Sequence, residues 1–104
     1  MKILWLKTAE DDLDGAFDYL FERDPQAALR TSRSIRRKID MLSDHPYLGR
    51  AGRVESTREL VVAGTPYIVV YTVDARLDSV VILRVLHGRR MWPEENDEGD
   101  ESGR

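Results

Sequence analysis

The sequence predicts an α+β domain: an N-terminal helical hairpin packed on one face of a small, mainly antiparallel sheet. Three observations carry this expectation. A short apolar run bounded by lysines opens the chain, two segments of helical periodicity follow almost without a break, and three β-rich segments joined by short turns come last. The implied order is β-α-α-β-β-β.

Residues 2–7 (KILWLK) are apolar in the middle and charged at the ends, the pattern of a short strand. Thr8 stands where a helix N-cap belongs, with Asp11 three residues later as its capping-box partner. Ala9, Leu13, Ala16, Phe17 and Leu20 then recur on one helical stripe. Acids at 10, 11, 12 and 14 suit the positive end of the helix dipole. Gly15 costs such a helix about 1 kcal/mol relative to alanine, an expense that would be justified if another element approached there.

Asp24-Pro25 restarts the helical pattern, with aspartate as cap and proline at the first helical position. Ala28, Ser32, Ile35, Ile39 and Leu42 form its apolar stripe, while Arg30, Arg33, Arg36, Arg37 and Lys38 lie away from it. Pro46 should end the helix near Asp44. The minimal connection requires the two helices to be antiparallel neighbours.

Residues 46–56 read as a loop. Residues 57–62, 67–73 and 79–87 read as strands, separated by Ala63-Gly64-Thr65-Pro66 and by a polar turn at 74–78. Connections this short favour an antiparallel meander.

Composition narrows the function. The 104 residues allow one modest core, and the absence of cysteine leaves neither disulfides nor thiolate metal sites. The four-residue apolar run near the N-terminus is too short for a secretion signal, and nothing approaches the ~20 apolar residues that span a bilayer. A cytoplasmic protein without membrane association is expected. The net charge of −3 conceals two parts. Residues 94–104 hold six acids and one arginine, leaving 13 acids against 15 lysines and arginines in residues 1–93. The expectation is one domain at 1–93 followed by an acidic, disordered tail at 94–104.

His45 and His87 are far apart and accompanied by no ligand motif, so no metal or other cofactor is expected. Gly49–Arg53 is glycine-rich but lacks the strand-to-helix setting of a phosphate cradle. Chemistry concentrates at the end of the last strand, in Arg84, His87, Arg89, Arg90 and Trp92. Arginine pairs with phosphate, tryptophan offers a stacking surface, and histidine titrates near neutrality. Strict alternation would place Val81, Leu83, Val85 and His87 on one face, and Ile82, Arg84 and Leu86 on the other. Arg58-Glu59 could supply a cross-strand ion pair, with at most one of the two facing Arg84. The arginines of the second helix form a solvated face suited to a polyanion.

Taken together, Asp12-Leu13, His45-Pro46-Tyr47-Leu48-Gly49-Arg50, Thr57-Arg58-Glu59-Leu60, Pro66-Tyr67-Ile68-Val69-Val70-Tyr71 and Ile82-Leu83-Arg84-Val85-Leu86-His87-Gly88 resemble the ParE/RelE toxin superfamily. The resemblance runs from about residue 3 to 93 and keeps the element order derived above. It implies the toxin of a type II toxin–antitoxin pair, held in a hetero-oligomer by an antitoxin that itself binds operator DNA. The apolar hairpin and a sheet edge would be the antitoxin's landing sites.

RelE-like members of the superfamily cut messenger RNA on the ribosome, as metal-independent endoribonucleases. They typically place an arginine after the aromatic residue that opens the middle C-terminal strand; here Ile68 follows Tyr67. Arg90 matches a second arginine of that set, but no tyrosine follows it. A nuclease would have to use Arg58, Arg84, His87 and Arg90. ParE-like members share the Arg-Val-Leu-His ending and poison DNA gyrase without catalytic residues of their own. The resemblance therefore favours a gyrase poison over a nuclease, with Arg84, His87, Arg89, Arg90 and Trp92 as target-docking candidates. A third alternative is an inactive relative that acts only in an antitoxin-bound regulator. If the tail is as composition suggests, deleting 94–104 should shift the melting temperature by less than about 2 °C, whereas a drop of several degrees would mean that it docks.

Overall fold

The computed structural model describes residues 1–88. Strand β1 (Lys2–Trp5) leads into helices α1 (Lys7–Arg23) and α2 (Pro25–Asp40), followed by one 3-10 turn at Met41–Ser43. Strands β2 (Arg50–Ala51), β3 (Arg58–Val61), β4 (Tyr67–Asp74) and β5 (Ser79–His87) complete a five-stranded sheet in the order β1-β5-β4-β3-β2. Neighbouring strands are antiparallel except β1, which runs parallel to β5. The hairpin covers one sheet face, as expected, and the last strand in sequence lies inside the sheet, between β1 and β4. The expected loop contains the two-residue β2, too short to leave a periodic signal.

Each helix begins differently. Asp24 caps α2 as its sequence indicated, accepting a hydrogen bond from Ala27 N at 3.1 Å, and Pro25 occupies the first turn. The capping box expected at Thr8 is absent. Helix α1 starts at Lys7 with Leu6 in the cap position and no side-chain cap. The Thr8 hydroxyl instead donates to Leu83 O at 2.9 Å, serving the sheet rather than the helix end.

Ala9 and Leu13 from α1 and Ile35 and Ile39 from α2 meet Leu60, Tyr67, Val69, Tyr71, Val80, Ile82 and Val85 in one core. Period-two alternation fails in β5. Val70 pairs with Arg84 but Tyr71 pairs with Ile82, so Leu83 is an extra residue that bulges the strand. The bulge lets Val80 and Ile82 share the helix-covered face with Val85 and His87, and it puts Arg84 and Leu86 on the opposite face. The simple two-face assignment of this strand is therefore corrected, since one inserted residue inverts every position beyond it.

A single phenol ties the long loop to the core. Tyr71 is fully buried; its hydroxyl donates to Pro46 O and accepts from Gly49 N, both at 2.8 Å. A Cβ on Gly49 would lie 2.8 Å from that ring and 2.9 Å from Glu59 O, so only glycine fits. Tyr71→Phe leaves the buried Gly49 N–H unpaired and should cost about 1–3 kcal/mol. Burial raises the Tyr71 phenol above its ordinary value of 10.0, against smaller opposing effects of the Gly49 hydrogen bond and the Arg58 charge. A raised folded-state value gives stability that is complete below pH ~10 and lost as pH climbs through it. Thermal melts should show a lower melting point for Tyr71→Phe and a smaller alkaline loss than wild type; Tyr67, also raised by burial, keeps its share.

Candidate functional site

Strand β1 covers only residues 79–82 of β5, leaving the rest of that edge without a strand neighbour among the described residues. Helix α1 serves it instead. Leu6 N donates to Ile82 O, Thr8 Oγ1 donates to Leu83 O, and Asp12 accepts from Val85 N at 2.9 Å. The same carboxylate takes Arg84 Nε at 2.7 Å and Nη2 at 3.1 Å in a two-pronged ion pair. The two side chains are 16% and 20% exposed, enough shielding for the pair to matter. Arg84 thus reaches round the sheet edge to a carboxylate on α1. Asp12 stands in the Asp12-Leu13 motif, but nothing in the sequence marks it as the partner of a residue 72 positions away.

His87 pairs with Tyr67 across the strands, their rings edge to face at 5.7 Å. It stands at the mouths of two clefts. One, beside α1, is lined by Asp11, Asp12, Gly15, Tyr19, Tyr67 and Val85. The other lies on the helix-free face, where Ile68, Val70 and Leu86 form an apolar floor flanked by Arg50, Arg53 and Glu59. Glu59 faces Arg50 at 3.5 Å and accepts from Arg53 N at 3.0 Å, so positive charge there is partly neutralised. Glu59 does make a cross-strand ion pair, though with Arg50 of β2.

Arg58 lies on the helix-covered side of β3, opposite Tyr71. It donates to Gly49 O at 2.7 Å and sits 4.9 Å from the centre of the exposed Tyr47 ring. Arg58 and Arg84 therefore belong to opposite faces, and each is engaged in holding structure. Arg89, Arg90 and Trp92 lie outside the described residues, as does the tail at 94–104. Among the described residues no cluster of histidine, aspartate and glutamate could hold a metal, and no helix is long and apolar enough to cross a membrane.

The architecture is shared with a chain of the chromosomal ParDE TA system from P. aeruginosa: TM-score 0.74 at 24% identity, covering 84% of this chain and 95% of that one. At that identity the likeness establishes the fold: two helices on a five-stranded mixed sheet. Sequence establishes the family. The family described as "ParE toxin of type II toxin-antitoxin system, parDE" matches residues 3–92. The Sinorhizobium fredii protein "Putative toxin Y4kP" is 40% identical over 93 residues, 89% of this chain and 94% of that protein. The chain belongs to the ParE toxin family of type II toxin–antitoxin systems.

Asp12→Ala removes the counter-charge of a shielded arginine and the acceptor for a strand N–H together. It should destabilise by about 2–3 kcal/mol, less than a fully buried pair would lose. Asp11→Ala, which breaks only an exposed pair with Lys7, should stay within about 0.5 kcal/mol. Urea unfolding of both variants checks the contrast, and equal effects would deny Asp12 its special position.

Proposed function

We propose that this protein inhibits growth by binding and poisoning DNA gyrase in the cytoplasm, and that a cognate antitoxin neutralises it. The observation that carries this reading is the dispersal of the groups a nuclease would need. Arg58 and Arg84 stand on opposite sheet faces and are tied to Gly49 and Asp12. Where RelE-like enzymes carry an arginine, Ile68 contributes to an apolar floor. Cleaving RNA requires several cations aimed at one phosphate, so that charge developing in the transition state is stabilised. An apolar floor with a mixed-charge rim suits a protein target better. A gyrase poison acts by occupying its target, for which surface chemistry suffices.

Antitoxin binding is supported by family membership and by a free edge. Strand β2 pairs with only Arg58 and Glu59, so the outer edge of β3 beyond them has no strand partner among the described residues; Val61, there, is exposed. An extended antitoxin segment adding to that edge would gain main-chain hydrogen bonds.

With purified, antitoxin-free protein and gyrase, supercoiling should stop and cleaved DNA should accumulate. His87→Ala should retain most of the toxicity on induction, since no proton transfer is required. An active host gyrase left untouched would overturn the reading, as would a folded, antitoxin-binding His87→Ala protein without toxicity. Message cleavage on ribosomes would then identify a nuclease, and normal growth on induction an inactive relative.

A further inference from the structure

The outward face of the helical hairpin is divided by charge. At about 3.6 residues per turn, the side of α1 opposite its buried Ala9 and Leu13 carries Asp11, Asp18 and Glu22, flanked by Asp14. The side of α2 opposite its buried Ala28, Ile35 and Ile39 carries Arg30, Arg33 and Arg37. All seven residues are exposed. Asp14, Asp18, Arg30, Arg33 and Arg37 make no ion pair among the described residues. Between the acidic and basic strips, Phe21 and Leu29 are 48% and 39% exposed.

We infer that this face binds a second copy of the same chain, forming a two-fold dimer when antitoxin is absent. A two-fold axis lying in the interface and parallel to the helices exchanges left for right. It places the acidic α1 of one copy over the basic α2 of the other, twice over. Because the helices are antiparallel, Asp18 and Glu22 then meet Arg30, and Asp11 and Asp14 meet Arg33 and Arg37. Phe21 and Leu29 fall along the axis, where apolar area is buried between the charged strips.

Gly15 lies off this face, on the flank of α1 that lines the cleft with Asp12, Tyr67 and Val85. Among the described residues a Cβ built there would meet nothing within 4 Å, so the close approach of another element expected at this glycine is not found among them.

The inference stands apart from the choice of target, and its test needs neither gyrase nor antitoxin. Sedimentation equilibrium of the full, antitoxin-free chain should give a dimer at ~50 mM salt that dissociates toward ~500 mM, as screening shortens the reach of the charges. Asp18→Arg or Arg30→Glu alone should weaken association at least tenfold, because each sets like charges opposite one another. The two together in one chain should restore it, since the exchanged pair is again self-complementary. Far-UV circular dichroism verifies that each variant is folded. A monomeric mass at all salt concentrations, up to roughly 200 µM chain, would overturn the inference. So would a dimer indifferent to the single substitutions, or one that the double variant fails to restore.

Discussion

Much of this fold depends on how one strand edge is satisfied. Strand β5 is flanked by β4 along its length but by β1 along only half of it. Unpaired N–H and C=O groups on such an edge are costly when shielded and invite foreign strands when open. The chain resolves this by turning from β1 directly into α1 and using that helix's side chains as a substitute strand. Thr8 takes the carbonyl of the bulged residue, and Asp12 takes the N–H two residues on. The bulge and the helix are therefore one device. Without the extra residue, Val85 would be turned to the other face; without Asp12, its N–H and the Arg84 guanidinium would lose their shared acceptor. This joint fixes the height at which α1 crosses the sheet, and hence where α2 and the core lie.

The same device explains why Arg84, the most conspicuous cation of the last strand, is poorly suited to a free catalytic role. A two-pronged pair to a largely shielded carboxylate gives orientation at the expense of availability. Arg58 tells a similar story at the other end of the sheet, where it braces the loop that Tyr71 anchors. The scaffold uses Arg58 and Arg84 as struts rather than gathering them around a phosphate. Among the described residues, what is left open to a partner on the helix-free face is an apolar floor with a rim of mixed charge.

Local signals in the sequence were faithful wherever the physics was local. The Asp24-Pro25 start, the apolar stripe of α2 and the limits of β5 depend on neighbours within a few residues, and all emerged where the pattern placed them. The ParE-like character was legible because several short motifs agreed in order. Thr8 was misread because its hydroxyl has two uses, and the one adopted involves Leu83, 75 positions away. The faces of β5 were misassigned beyond Leu83 because a bulge leaves no mark in hydrophobicity: Leu83 simply continues the apolar run of Val80, Val81 and Ile82. Tyr71 looked like one more β-forming aromatic, and its role as a latch became visible only once Pro46 and Gly49 were beside it. The docking cluster was only partly placed, since Arg84 and His87 fall on opposite sides of their strand while Arg89, Arg90 and Trp92 lie outside the described residues.

The position of β5 also bears on timing. During synthesis both helices and four of the five strands emerge first, yet β1 has no strand partner, and α1 lacks the strand on which it chiefly rests, until β5 arrives. Contacts of such long sequence separation are slow to form, because the intervening chain must be closed into a loop first. A growing chain therefore leaves the sheet-facing side of α1 uncovered until β5 has been made, and only then completes its core. In this member of a toxin family, that order withholds the finished surface until the last strand of the sheet has been made.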